Sequence, residues 1–168
     1  MGDSRSTTPK PERDSWSTPK FIFDWLNSEY YFDIDLAAAW DNTHCHRYFS
    51  LHDNSLNALW STYGKTGFLN PPYSNIKVWI EKAIKEQTKG FTTVMLIPTP
   101  NGEYYYKELF KFASEVIMIN GRISFIDSTG ESKGGNPRGS CVVVFGSMAG
   151  NPRLLNIDRD EIKARFSA

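Results

Sequence analysis

Gly67-Phe68-Leu69-Asn70-Pro71-Pro72-Tyr73-Ser74 is the stretch on which the reading of this chain turns. Phe68 and Leu69 follow the breaker-rich Tyr63-Gly64-Lys65 and read as the end of a strand. Pro71 and Pro72 fix two successive φ angles and remove two backbone donors, so the strand stops there. Each proline also pushes its predecessor towards extended geometry, which holds Asn70 out of the helical region. The loop therefore presents an amide side chain and two carbonyls on a stiff turn, beside the Tyr73 ring. The Asn70 amide oxygen and the Pro71 carbonyl can both accept hydrogens from one planar amine. Tyr73 can stack on the ring that bears that amine. A Pro-Pro turn that merely ends a strand is the plain alternative. The tyrosine, the strand before it and the amphipathic helix after it favour the recognition of an amine-bearing ring.

Downstream of this loop, Ile76, Trp79, Ile80, Ala83 and Ile84 recur at helical spacing, with Lys77, Glu81, Lys82, Lys85 and Glu86 on the other face. Gly90 stops that helix. Phe91 to Ile97 is a near-continuous apolar run, as expected of a strand buried on both faces of a parallel sheet. Pro98-Thr99-Pro100-Asn101-Gly102 makes a second proline-rich loop at its carboxyl end, and Tyr104, Leu109, Phe110 and Ala113 outline another helix. Glu115 to Ile119 reads as a strand, Asn120-Gly121 as a hairpin turn and Arg122 to Ile126 as the returning strand. Asp127 to Ser140 holds four glycines and Pro137 and is expected to be a flexible loop. Cys141 to Phe145 is the last apolar strand, and a small charged helix follows from about Asp158.

Upstream, Tyr30 to Leu36 mixes aromatic and branched residues and predicts a strand. It ends in Asp35, and the small residues Ala37, Ala38 and Ala39 follow, so a ligand can approach the backbone closely. In an open α/β sheet ligands bind at that place, outside the carboxyl ends of the strands. Asp35 is placed to accept hydrogen bonds from ribose hydroxyls or an ammonium group; the alternative is that Asp33 and Asp35 are turn carboxylates. Arg47 to Leu51 predicts a second strand and Asp53 to Trp60 a capped helical turn. Asp53 either contacts the same ligand as Asp35 or caps that turn. His44, Cys45 and His46 are too close together to face one ion, and no second Cys/His pair completes a set, so no metal site is expected. Order begins at Trp16-Ser17-Thr18-Pro19-Lys20. There Thr18 or Ser17 can cap a helix and Pro19 can take its first position, before Phe21, Phe23, Trp25 and Leu26. Residues 1–15 read as a polar, disordered arm whose Arg5, Lys10 and Arg13 could touch phosphates, though a solvated tail is the preferred reading.

The chain has 168 residues, 40% hydrophobic and 14% aromatic, with a formal net charge of zero. That length suits one domain with a real core, and the charge gives no global basic field to announce a nucleic-acid partner. Cys45 and Cys141 stand far apart, so a reducing compartment is expected rather than a disulfide framework. No apolar run has the length of a membrane span, and Met1-Gly2-Asp3-Ser4-Arg5 lacks the apolar core of a secretory signal. The expectation is a soluble intracellular protein with a doubly wound α/β sheet and antiparallel strands at its C-terminal edge. The loops at Ala37, Asn70 and Pro98 then share one edge, with a pocket for a ribose-bearing cofactor beside one for a planar amine.

Asn70-Pro71-Pro72-Tyr73 matches the (D/N/S)-P-P-(Y/F/W) signature of amino-group DNA methyltransferases. Together with Trp16-Ser-Thr-Pro, Asp35-Leu-Ala-Ala, Gly121-Arg122-Ile-Ser-Phe and Gly139-Ser140, it resembles the small phage and prophage Dam-type adenine methyltransferases over most of the chain from Trp16 to Phe145. The resemblance implies a single-domain Rossmann-like sheet spanning residues 16–146, with a C-terminal extension at 147–168. It implies S-adenosyl-L-methionine as methyl donor and the exocyclic amine of adenine in DNA as acceptor. The broader family's glycine-rich F-x-G-x-G cofactor loop is absent, and Asp35-Leu36-Ala37-Ala38 stands in its place. Carried onto these residues, Asn70, Pro71, Pro72 and Tyr73 are catalytic. Trp16, Thr18, Pro19, Asp35, Ala37, Ala38, Asp53 and Asn70 hold the cofactor, and no metal is needed. Lys65, Ser74, Lys77, Arg122, Lys133 and Arg138 are the candidates for DNA contact, the glycine-rich loop with Lys133 and Arg138 foremost. Action in the bacterial cytoplasm, with DNA as partner and no obligate protein partner, follows from the same resemblance. The same tetrapeptide also serves enzymes acting on RNA bases or protein glutamine, and a non-catalytic nucleic-acid-binding phage protein is the rival from another class.

Overall fold

The structure, a computed structural model, describes residues 16–100, 107, 109, 111–132, 138–147 and 150–167. The expected arm at 1–15, most of the helix expected at 104–113, and Lys133 lie outside the described residues. The elements in chain order are α1 (Lys20–Tyr30), β1 (Ile34–Asp35), β2 (Thr66–Leu69), α2 (Ile76–Gln87), β3 (Thr92–Pro98), β4 (Glu115–Asn120), β5 (Ser140–Phe145), β6 (Arg153–Asp158) and α3 (Arg159–Phe166). Short 3₁₀ turns occupy Leu51–Asp53, Trp60–Thr62 and Tyr73–Asn75.

The strands form one six-stranded sheet in the order β1-β2-β3-β5-β4-β6. β1, β2 and β3 pair in parallel. β5 runs antiparallel to both β3 and β4, and β6 lies parallel to β4. The α/β class is as expected, but the sheet is mixed, with β5 alone reversed, and its C-terminal edge is not antiparallel. Asn120-Gly121 closes no hairpin. Gly121 does take the left-handed φ of 82°, but β5 and β6 already occupy both edges of β4. Residues 122–126 therefore leave the sheet, and Ile126 bridges to Ser17 and Ser132 instead. Within the extension expected at 147–168, Arg153–Asp158 supplies the edge strand β6 of this same sheet and Arg159–Phe166 the helix α3.

Three upstream expectations are also corrected. Tyr30 ends α1 rather than beginning a strand; the helix is carried by the buried Ile22, Phe23, Trp25 and Leu26. Tyr31 stops it at φ 54°, its N–H donating to Asn27 O, and only Ile34 and Asp35 remain as strand. Pro19 is the N-cap of α1 and no side chain caps it, so neither Ser17 nor Thr18 serves there. Arg47 to Leu51 makes only a bridge to β1, through Asp35 N–H to Arg47 O and Phe49 N–H to Asp35 O (both 2.9 Å).

Strict alternation along the strands divides the core into two faces. Leu69, Met95, Ile97, Val143 and Phe145 pack with Trp60, Phe91 and the apolar side of α2. Phe68, Val94, Leu96, Val142 and Val144 pack with α1, Ile123, Phe125 and Ile162 of α3. Gly67 in β2 is required by closeness, because a Cβ there would meet Leu36 at 2.8 Å and Phe91 at 2.9 Å. Glu86 ties the segment before β2 to α2. Its Oε2 accepts from Trp60 N–H (3.1 Å) and its Oε1 from Lys82 (2.6 Å) and Lys89 (2.9 Å). Because β1, β2, β3, β4 and β6 point the same way, their carboxyl ends share one edge, and the candidate site lies there.

Candidate active site

β1 and β2 pair with Asp35 opposite Phe68, so their carboxyl ends bring Asp35-Leu36-Ala37 beside Leu69-Asn70. Ile34 and Leu36 belong to the α2 face, so alternation puts Asp35 on the α1 face with Phe68 and Asn70. Asn70 Nδ2 donates to Thr18 Oγ1 at 3.1 Å. Thr18 is itself buried, at 4% exposure. Its backbone is held on both sides: His44 Nε2 bonds Thr18 O at 2.9 Å, and Ser17 exchanges two backbone bonds with Ile126. His44 in turn lies over Phe23, 4.9 Å between ring centroids. The amide nitrogen of Asn70 is thus committed to Thr18, and Oδ1 is its remaining acceptor. The sequence pointed to Thr18 as a cofactor contact; the structure shows its hydroxyl accepting from Asn70, and the part played by His44 was missed. Nothing local could reveal a bond between residues 52 positions apart.

Asp35 is 3% exposed, and Ala37 N–H donates to its Oδ1 at a long 3.3 Å. Burial pushes its pKa up from 3.8 to about 7, against the weaker pull of that hydrogen bond. The folded protein therefore holds this proton more tightly than the unfolded chain. Stability falls as pH rises from about 4 to about 7, and the penalty is complete above that. Asp35→Asn is expected to gain on the order of 3 kcal/mol relative to wild type at pH 8 and almost nothing at pH 4. Urea denaturation at the two pH values measures it; equal gains at both would assign the effect to something other than ionisation. Burial, with the carboxylates of Asp35 and Asp33 near, also raises the Cys45 thiol to about 12, which makes it inert as a nucleophile.

Tyr73 follows the two prolines and opens the 3₁₀ turn into α2. Its ring meets Phe125 edge-on, with centroids 6.0 Å apart at 84°. Its hydroxyl is buried without a hydrogen-bond partner among the described residues, and burial, with Cys141 adding to it, raises its pKa. The residue as a whole remains half-buried, so the ring is anchored by its tip. Tyr73→Phe removes an unsatisfied buried group and is expected to raise stability by about 1 kcal/mol. A loss of stability in the same denaturation assay would mean that the hydroxyl has a partner.

The remaining candidates divide. Ala37 and Ala38 are half-buried, and Ala38 N–H is taken by Phe49 O at 3.0 Å. Trp16 packs half-buried against the α1-face core, and Pro19 is buried at the start of α1. Asp53 is exposed and completes a capping box with Ser50, whose hydroxyl and N–H lower its pKa. Its carboxylate serves that turn. Lys65 does not flank the active edge. It precedes β2, at the amino end, with its N–H on Asp33 Oδ2 at 2.6 Å, roughly 16 Å of extended chain from Asn70. Ser74 and Lys77 are exposed just past the loop, and Lys77 pairs with Glu81 at 3.8 Å. Arg138 is exposed beside Gly139, whose carbonyl accepts from Thr99 N–H (2.8 Å), so it stands at the edge where β3 ends. Arg122 is exposed beyond the end of β4, at that edge too. Among the described residues no group of three His, Cys, Asp or Glu side chains is placed to hold a metal, and no helix is long and apolar enough to cross a membrane.

Fold and site together define an α/β protein with an amide-bearing proline turn and a buried carboxylate side by side at the carboxyl edge of a mixed sheet. Residues 5–165 match the family described as DNA N-6-adenine-methyltransferase (Dam). The chain is 31% identical over 157 residues to a protein of Escherichia phage T1 with that same description, covering 83% of this chain and 66% of the T1 protein. It is 31% identical over 147 residues to another so described from Haemophilus phage HP1 (strain HP1c1), covering 84% of each. The chain therefore spans just under two thirds of the T1 relative. It belongs to the phage Dam-type DNA N-6-adenine-methyltransferase family.

Proposed function

We propose that this chain transfers a methyl group from S-adenosyl-L-methionine to the N6 amine of adenine in DNA, and that its sheet is the Rossmann-like sheet of such enzymes. The observation that carries this reading is the hydrogen bond from Asn70 to Thr18. It turns the amide so that its oxygen is left to accept from an amine. Asn70 Oδ1 and the Pro71 carbonyl then each take one hydrogen of the adenine amine, localising the nitrogen lone pair. Pro71 and Pro72 keep the two acceptors at a fixed separation. The target base reaches them only when flipped out of the duplex stack, and the half-buried Tyr73 ring is the plate on which it rests.

Asp35 tests the fit of the methyl donor. It is a buried acceptor with one long hydrogen bond, beside the small Ala37 and Ala38. That environment suits a molecule bringing ribose hydroxyls and an ammonium group. When bound, the donor supplies an electrophilic methyl sulfonium. The chain's task is to hold the amine in line with it, an orientation effect that contributes about 7–11 kcal/mol in well-aligned systems. Such an enzyme works where DNA is, in the bacterial cytoplasm. The test is transfer of labelled methyl from S-adenosyl-L-methionine to duplex DNA, RNA and bulk protein in parallel. Label recovered as N6-methyladenine from DNA supports the reading; label confined to RNA or protein overturns it.

A further inference from the structure

The amino end of α1, the segment 122–132 and α3 enclose a groove of about 730 Å³ at the sheet edge where the site lies. Lys20, Arg122, Arg159 and Lys163 line it, with Asp24 the one carboxylate among the described lining residues. The chain has no net charge, so this is a local concentration of positive charge. Two of the cations are partly compensated: Lys20 pairs with Asp24 (2.5 Å), and Arg159 pairs with Asp160 (2.6 Å) while donating to Arg122 O (2.8 Å). Arg122 and Lys163 are exposed and make no ion pair among the described residues. Arg159 and Lys163, four residues apart, share one face of α3.

The groove is continuous with the catalytic loop. Pro19 and Ile126 line it; Thr18, next to Pro19, accepts from Asn70, and Ile126 is bridged to Ser17. Arg122 lies beyond β4 and Asn70 beyond β2, three strand positions apart, or roughly 14 Å. That is close to the width of the B-DNA major groove, about 12 Å. We propose that this groove binds the phosphate backbone of duplex DNA beside the extruded adenine, with Arg122 and Lys163 as its principal phosphate contacts. The proposal rests on DNA being the substrate. It makes α3 a docking element rather than a trailing helix, and it separates the group that grips the duplex from the group that reads the amine.

Phosphate contact is independent of base sequence, so any duplex reports it. The test uses the full chain and a fluorescein-labelled 25-base-pair duplex of random sequence, titrated over a series of salt concentrations. Arg122→Ala with Lys163→Ala is expected to weaken binding about tenfold and to flatten the slope of log K against log salt by about 2, one unit per lost contact. S-adenosyl-L-methionine affinity and melting temperature should not change. The charge-keeping pair Arg122→Lys with Lys163→Arg should restore affinity. Lys85→Ala with Lys107→Ala, equally charged but outside the groove, should leave it within about twofold. Wild-type affinity and salt slope in the alanine pair would overturn the proposal while leaving the methyltransferase reading intact. Loss confined to an RNA duplex would overturn it as well. Methylation assays decide that other reading separately.

Discussion

Asn70→Ala is expected to slow methyl transfer to adenine by a hundredfold or more while changing methyl-donor affinity little. In the proposed reaction positive charge builds on the amine nitrogen as it attacks, and the hydrogens that Asn70 Oδ1 and Pro71 O would accept become more acidic. A fixed acceptor at that point stabilises the transition state more than the ground state. Losing one preorganised partner of this kind typically costs about 10²–10³ in turnover. Thr18 supplies a graded version of the same experiment. Thr18→Val keeps the shape but removes the oxygen that holds the amide nitrogen at 3.1 Å, so it is expected to show part of the Asn70→Ala defect in turnover without matching it. Thr18→Ser, which retains the hydroxyl, should behave nearly as wild type. Single-turnover kinetics with duplex DNA, beside donor titrations by calorimetry, separate the two effects. A near wild-type rate in Asn70→Ala would reduce the proline loop to architecture.

Glu86→Ala is expected to destabilise the fold by about 3–5 kcal/mol, the largest stability effect foreseen for a single side chain here. The carboxylate has no solvent exposure and the Lys82 side chain only 9%. Burial works against ionising Glu86, yet hydrogen bonds and charge from Lys82 and Lys89 outweigh it and hold its pKa below the usual carboxylate range. Truncation leaves the Trp60 N–H without its acceptor and the Lys82 ammonium buried with Ala58 O (2.6 Å) as its acceptor among the described residues and the Trp60 ring at 5.1 Å. Lys89→Ala should cost well under 1 kcal/mol, because Lys89 is 36% exposed and solvent can stand in for it. Chemical denaturation of the two variants gives the comparison. A loss below about 1 kcal/mol for Glu86→Ala would show that the segment before β2 is held by Trp60 packing alone.

Much of this was readable from local order along the chain. Two prolines after Phe68 and Leu69 stop a strand whatever surrounds them, and the apolar spacing of Ile76, Trp79, Ile80 and Ala83 makes α2. Phe91 to Ile97 and Cys141 to Phe145 are apolar on both faces, and so they had to be interior strands. These are properties of residues a few positions apart, and they located the proline turn that follows β2, together with β3, β5 and the α/β class. Tyr30 to Leu36 misled for the complementary reason. Aromatic residues suit a strand or the buried side of a helix equally, and the packing of Ile22, Phe23, Trp25 and Leu26 against the sheet carried α1 through Tyr30.

Tertiary structure alone decided the rest. Asn120-Gly121 has the chemistry of a hairpin, but competition for the edges of β4 gave both to β5 and β6. Whether a strand finds a partner depends on what else the chain brings to that edge. The pairing of Thr18 with Asn70, the clamp on Glu86, and the gathering of Lys20, Arg122, Arg159 and Lys163 each join segments far apart in sequence. Composition could report only that the charges sum to zero. The concentration of Arg122, Arg159 and Lys163 at one sheet edge is a consequence of strand order, because parallel strands deliver their carboxyl ends, and whatever follows them, to the same side.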